Sequence, residues 1–145
     1  MSTNKRKRGK KYFNPAEANA TLPLVRSIVK DITELAAGLR DRNERLVRLG
    51  DGRGLGEAHQ EELATLQEDL ERAQDQLKDY VQELHALGVE LKDYDTGLVD
   101  FPAWMNGHEV YLCWRLGEPE VAHWHELDAG FAGRRKLTTE EVHSG

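Results

Sequence analysis

Two histidines that flank a tryptophan, His123-Trp124-His125, have the clearest capacity for chemistry in this sequence. Residues two apart in a β-strand point to the same side, so both imidazoles are predicted to face one way and to approach one metal ion. Cys113 and Asp100 lie in neighbouring predicted strands and offer a thiolate and a carboxylate. The candidate metal ligands are therefore His123, His125, Cys113 and Asp100, and the ion they suit is a divalent transition metal such as zinc.

The pairing of the predicted strands decides whether these four residues meet. Asn106-Gly107 is the strongest short signal for a β-hairpin, because both residues tolerate the left-handed backbone of a two-residue turn. A two-residue turn at this point places Asp100 opposite Cys113. The first two candidate ligands are thus predicted to be neighbours on one face of the sheet.

The next connection, at residues 117–120, leaves two possibilities open. A loop of even length is the simpler assumption, and it sets His123 opposite Trp114 and His125 opposite Leu112, on the apolar face. An odd loop or a bulge reverses the face and gathers the histidines with the aspartate and the cysteine. On the simpler assumption no cofactor is expected, and zinc is the alternative.

A second set of side chains is suited to a small ligand. The guanidinium of Arg134 can clamp a carboxylate or a phosphate, although an ion pair within the protein is the simpler interpretation. The candidate ligand-binding residues are Asp100, Glu118, Arg134 and Trp124. Cys113 lies between two large apolar residues, which favours a buried, unreactive thiol over a nucleophile. Whether the protein is an enzyme stays open.

Two helices with a heptad pattern precede the predicted strands and must support them. In the second helix, two rows recur every seven residues: Leu63, Leu70, Leu77 and Leu84 in one, and Leu66, Ala73, Tyr80 and Leu87 in the other. A glycine-rich loop at 50–56 separates this helix from an earlier one, and so short a connection predicts antiparallel neighbours. Basic residues at the end of the first helix and acidic residues at the start of the second favour the same pairing.

The helix ends are marked by local signals. Asn14 can cap the first helix, Pro15 suits its first turn, and Glu17 completes a capping box. Pro23 lies inside the helical pattern, and we expect a kink there or a restart capped by Thr21. The predicted fold is α+β: a long antiparallel two-helix coiled-coil hairpin at about 14–88, followed by a small three- or four-stranded antiparallel β-meander at about 89–134.

The charge distribution divides the chain into an arm and a body. The net charge is −6, although residues 1–12 carry six lysines and arginines. We expect this segment to be a disordered, solubilising basic arm, and the alternative is that it contacts an acidic protein or nucleic acid. Residues 13–145 are expected to form one domain. The chain has one cysteine and no apolar stretch that could cross a membrane or serve as a signal peptide. A cytoplasmic protein without membrane contact is predicted.

The C-terminal half carries a resemblance to a known family. Four segments match it: Gly97–Pro102, Tyr111–Glu118, Trp124–Glu126 and Gly130–Arg134. Together with Glu17-Ala18-Asn19 and Leu22-Pro23, these segments resemble the bacterial family catalogued as domain of unknown function 2203, from about Phe13 to Arg134. The resemblance implies a bacterial cytoplasmic protein and brings no established activity.

Function is therefore predicted from the architecture. Two helices alone bury only a thin seam, so we expect a homodimer in which a second copy completes a four-helix bundle. The leading hypothesis is a non-enzymatic interaction or adaptor module. The alternative is a metal- or small-ligand-binding protein, catalytic or not, with its site in the β-meander.

Overall fold

Two long helices precede a five-stranded antiparallel sheet in the computed structural model, which describes residues 9–51 and 56–143. The helices are α1 (Pro15–Asp51) and α2 (Glu57–Ala86). The strands pair in chain order: β1 (Glu90–Asp93), β2 (Leu98–Met105), β3 (His108–Arg115), β4 (His123–Glu126) and β5 (Arg135–Lys136). A short helix, α3 (Thr139–His143), follows. The predicted α+β fold is confirmed. The sheet has one strand more than the three or four predicted, because β5 is only two polar residues long and so short a strand has no recognisable pattern in the sequence.

The start of α1 and the end of α2 follow their sequence signals. The Glu17 N–H donates to Asn14 Oδ1 at 2.8 Å, and the Asn14 N–H donates to Glu17 Oε1 at 3.1 Å, which is a capping box. Helix α1 runs through Pro23 without a restart, so the alternative of a restart at that point is wrong. The Thr21 hydroxyl donates to the Glu17 carbonyl, so Thr21 lies within the helix and does not cap a new one. Pro23 removes only one backbone donor from the helix. Gly88, with φ of 89°, follows the end of α2 as predicted.

The two helices form the predicted antiparallel hairpin. Arg45 of α1 and Glu62 of α2 form an ion pair with an N–O distance of 3.0 Å, in agreement with the opposed charges. Helix α1 extends to Asp51, two residues into the predicted glycine loop. Residues 52–55 of that loop lie outside the described residues. The hairpin thus has the expected partners and direction.

One face of the sheet packs against the first half of α1 and forms the hydrophobic core. Its central residues are Val25, Val29 and Ile32 from the helix and Val99, Phe101, Leu112 and Trp114 from β2 and β3. Because side chains alternate along a strand, the residues between these apolar ones point to the outer face, away from the helices. The candidate metal ligands occupy that outer face.

Residues 10–13 run along β2 before α1 begins. Lys10 forms an ion pair with Glu109, and the Tyr12 hydroxyl donates to the same carboxylate at 2.9 Å. The Phe13 N–H donates to the Pro102 carbonyl at 2.7 Å. Residues 1–8 of the predicted basic arm lie outside the described residues.

Candidate metal centre

The hairpin between β2 and β3 has the predicted register. Asn106 and Gly107 adopt positive φ values of 53° and 80°, as a two-residue turn of this type requires. Asp100 pairs with Cys113. Because opposite residues of an antiparallel pair project to the same face, the carboxylate and the thiol are neighbours.

The connection between β3 and β4 has the other of the two possible registers. His123 lies opposite Cys113 and His125 lies opposite Tyr111, one residue from the pairing expected for an even loop. The expectation that both histidines face the apolar core is therefore wrong. A one-residue change of register moves every side chain of a strand to the other face. The histidines consequently lie on the outer face with Asp100.

A contact with α1 fixes this register. The Val121 N–H donates to Asn19 Oδ1 at 2.7 Å, and Asn19 Nδ2 donates to the Val121 carbonyl at 3.1 Å. The Trp114 indole also donates to the Glu118 carbonyl at 3.0 Å. These bonds hold the connection between β3 and β4 at both ends. The number of residues in this connection is therefore not limited to the number that a tight turn allows.

Three of the four candidate ligands form one buried cluster, which we call the Asp–Cys–His cluster. One donor atom from each of Asp100, Cys113 and His125 lies within 4.8 Å of the other two. Their exposed fractions are 3%, 0% and 2%. Each residue comes from a different strand of β2, β3 and β4, so the sheet itself sets their separation.

A proton must lie between His125 and Asp100. The Nδ1 atom of His125 is 2.7 Å from the Glu126 carbonyl, which can only accept, so Nδ1 carries a hydrogen. The Nε2 atom is 3.0 Å from Asp100 Oδ1, and two lone pairs at that distance require a shared proton. Burial raises the pKa of Asp100, although the hydrogen bond from His125 acts in the opposite direction. The imidazole orientation is thus set by a backbone carbonyl.

The thiol of Cys113 is neutral at neutral pH. Burial, reinforced by the nearby charge of Asp100, raises its pKa to about 11. Arg134 Nη1 lies 4.0 Å from the sulfur and favours the thiolate, but less strongly. A thiol with such a pKa is a poor nucleophile at neutral pH and ionises only with a strong electrophile such as a metal ion.

Glu118 and Arg134 form a two-point ion pair beside the cluster. Arg134 Nη1 donates to Glu118 Oε1 at 3.0 Å, and Nη2 donates to Oε2. Burial alone favours the neutral carboxylic acid, but the hydrogen bonds from Arg134 and from the Arg115 N–H outweigh it, so the pKa of Glu118 is lowered. The guanidinium also lies 4.4 Å from the centre of the Phe131 ring. Arg134 therefore forms the internal ion pair that was the simpler interpretation of the sequence, and its binding of a ligand stays a prediction.

The two remaining candidates have different environments. His123 lies on the same face as the cluster but outside it, and its Nδ1 is 3.9 Å from Glu118 Oε2. Burial and the charge of Arg134 lower the pKa of His123. Trp124 lies opposite Leu112 and belongs to the hydrophobic core with 8% exposure. Its part in binding a small ligand stays a prediction.

One functional neighbour was not predicted from the sequence. The ring of Tyr111 lies 5.5 Å from that of His125, and its hydroxyl donates to Glu90 Oε1 at 3.0 Å. Burial and the charge of Glu90 raise the pKa of Tyr111. Tyr111 is two residues from Cys113 in the same strand, and residues at that spacing point to the same face of the sheet. The spacing could therefore have placed Tyr111 beside the cluster from the sequence alone.

The fold and its site define an α+β protein in which a helical hairpin supports a sheet with a buried Asp–Cys–His cluster on its outer face. A family model described as "Uncharacterized conserved protein (DUF2203)" matches residues 11–137, so the chain belongs to that family, as the sequence segments indicated. No curated protein matches the chain, and no solved structure does. None of the helices in the described ranges is both long and apolar enough to cross a membrane.

Proposed function

We propose that this protein binds a divalent transition metal ion, such as zinc, through Asp100, Cys113 and His125. The observation that carries the proposal is the convergence of three different donor atoms, each from its own strand, within 4.8 Å of one another. A mixed oxygen, sulfur and nitrogen set suits zinc and similar ions and does not suit magnesium or calcium, which prefer oxygen alone.

The orientation of His125 supports this function. A metal-binding histidine usually donates its other ring N–H to a carboxylate or a backbone carbonyl, and Nδ1 of His125 does so to Glu126 at 2.7 Å. Its Nε2, which shares a proton with Asp100 Oδ1, is therefore the nitrogen directed into the cluster, and it can bind a metal once that proton leaves. Two ligands of a tetrahedral zinc ion are about 3.3–3.7 Å apart for bonds of about 2.0–2.3 Å. The present Nε2–Oδ1 separation of 3.0 Å needs only a small expansion once the proton leaves.

Metal analysis of the purified protein tests the proposal. The full chain is reconstituted with zinc under reducing conditions, dialysed, and analysed for metal and protein. We expect one zinc per chain in the wild type and in His85→Ala, because His85 is an exposed residue of α2, an element that contributes no ligand to the cluster. We expect loss of the metal in His125→Ala and Cys113→Ser. Equal metal contents in wild type and His125→Ala would overturn the proposal.

Interaction through the helical hairpin is the second candidate function, and one observation favours it. The seam leucines beyond the sheet remain only half-buried: Leu39, Leu46, Leu63, Leu70 and Leu77. A groove of about 360 Å³ runs between the helices there and ends at the exposed Tyr94. Leu39, Leu70 and Leu77 line this groove, so a second copy of the chain that covered it would bury them and give the expected homodimer.

Sedimentation tests the hairpin interface. A mass that rises from monomer to dimer with concentration, and that stays monomeric in Leu70→Gln but not in the surface variant Leu127→Gln, supports the hairpin interface. A monomer at every concentration removes it.

Contact of the basic arm with an acidic protein or nucleic acid belongs to the same candidate and predicts salt-dependent binding that is lost when residues 1–8 are deleted. A buried free cysteine suits a reducing compartment such as the cytoplasm.

A further inference from the structure

The imidazole of His123 has a ring nitrogen, Nδ1, without a hydrogen-bond partner beside the Asp–Cys–His cluster. Among the residues that the structure describes, His123 Nδ1 is the one buried side-chain nitrogen or oxygen without a hydrogen-bond partner. Buried polar atoms are normally paired, so an unpaired one calls for a ligand, an ion or a water. The ring as a whole is 27% exposed, which leaves it room to turn.

Neighbouring side chains do not use this nitrogen. Glu118 is the nearest acid, at 3.9 Å, which is beyond hydrogen-bond distance. Its Oε1 already accepts from Arg134 Nη1 and from the Arg115 N–H, and its Oε2 accepts from Arg134 Nη2. The ion pair therefore occupies the carboxylate that would otherwise hold His123.

The register places this unused nitrogen beside the thiol. His123 is the direct partner of Cys113 across β3 and β4, and it lies two residues from His125 on the same face. Side chains directly opposite each other in antiparallel strands have Cβ atoms about 4.5–5.5 Å apart. As the ring stands, His123 has no donor atom within 4.8 Å of all three others, so the proposal requires the ring to turn and bring Nδ1 toward the position that a metal would share with Cys113.

We propose that His123 supplies the fourth ligand of the metal, through Nδ1, and that the complete site is an Asp–Cys–His–His tetrahedron. This inference rests on the proposed function and extends it from three ligands to four. A buried zinc site is usually closed by four protein ligands, and the three-residue cluster is almost fully enclosed. A thiolate and a carboxylate balance the charge of a divalent ion, and a neutral second histidine completes the shell without adding charge.

Cobalt(II) reports both ligand number and ligand type, so it tests the inference. We titrate the reduced full chain with Co²⁺ and record the thiolate-to-cobalt charge-transfer band and the visible ligand-field bands, which are strong only for a tetrahedral ion. For the wild type we expect both. For His123→Ala we expect the thiolate band to remain, the visible bands to weaken, and the affinity to fall more than about tenfold, since even partners outside the first shell are worth that much.

The controls keep this inference distinct from the proposed function. His85→Ala should match the wild type, and circular dichroism should show that His123→Ala is folded. X-ray absorption of the zinc-loaded wild type, which needs no variant, should show two imidazoles and one sulfur. No cobalt binding by the wild type overturns the proposed function. Cobalt binding with one imidazole, or with equal affinity and band strength in His123→Ala, overturns the fourth ligand alone.

Discussion

Replacing Asp100 by asparagine should separate stability from metal binding. The carboxylate is 3% exposed and its pKa is raised by burial, so the folded protein bears a cost for its charge. Asparagine has nearly the same shape, and its amide can donate to the lone pair of His125 Nε2, now 3.0 Å from Oδ1. Its carbonyl can accept from the Cys113 thiol, which is also a partner of Asp100. Both hydrogen bonds are kept and the buried charge is removed.

The expected magnitudes follow from this exchange. Without metal, the free energy of unfolding of Asp100→Asn should lie within about 1 kcal/mol of the wild type or above it, since replacing a buried ion pair is often neutral or stabilising. Asp100→Ala leaves His125 Nε2 unpaired and should lose about 1–3 kcal/mol. With zinc at 100 times its dissociation constant, the wild type should gain about 2.7 kcal/mol, and a variant that binds tenfold more weakly should gain about 1.4 kcal/mol.

Urea unfolding with and without zinc measures these quantities. Each of the three proteins is unfolded in the presence of a chelator and again in excess zinc, and the slope with urea is checked for constancy. A zinc-induced gain that is as large in Asp100→Asn as in the wild type would show that Asp100 is not a ligand. A loss of more than 3 kcal/mol in Asp100→Asn without metal would refute the hydrogen-bond assignment.

Further predictions concern the thiol and the ion pair beside it. Glu118→Gln should speed alkylation of Cys113 in metal-free protein more than about tenfold, because local opening becomes easier, whereas the exposed control Glu120→Gln should not; equal rates would contradict this. Alkylation of wild-type Cys113 should keep rising to about pH 11, with roughly 100-fold less thiolate at pH 8 than an ordinary cysteine; a plateau near pH 9 would contradict the raised pKa. The stability advantage of wild type over Glu118→Gln should be complete above pH 4.5 and should shrink as the pH falls through the lowered pKa of Glu118; an advantage unchanged at pH 3 by urea unfolding would count against the ion pair.

The parts of the fold that local signals specify were predictable from the sequence. The heptad rows, the capping box at Asn14 and the glycine after α2 each act within a few residues, and the structure has all three. The same holds for the first hairpin, because the geometry of the Asn106-Gly107 turn alone fixes the pairing of Asp100 with Cys113.

The composition of the site could not be settled in the same way. The face of β4 depends on a connection that is held by Asn19, about a hundred residues earlier in the chain. No local pattern reports such a contact, and a shift of one residue decides whether His125 meets Asp100 or the core. The engagement of Arg134 by Glu118 likewise depends on tertiary structure, so a free clamp and an internal ion pair look the same in the sequence.

The metal content of the wild-type protein after reconstitution tests the central claim most directly. Zinc, iron, nickel and cobalt are offered together under reducing conditions, and the bound metal is quantified against protein after exhaustive dialysis. The account predicts one ion per chain, predominantly zinc, and its absence from Cys113→Ser and His125→Ala. Wild-type protein that retains far less than one ion per chain, while folded and reduced, would contradict it.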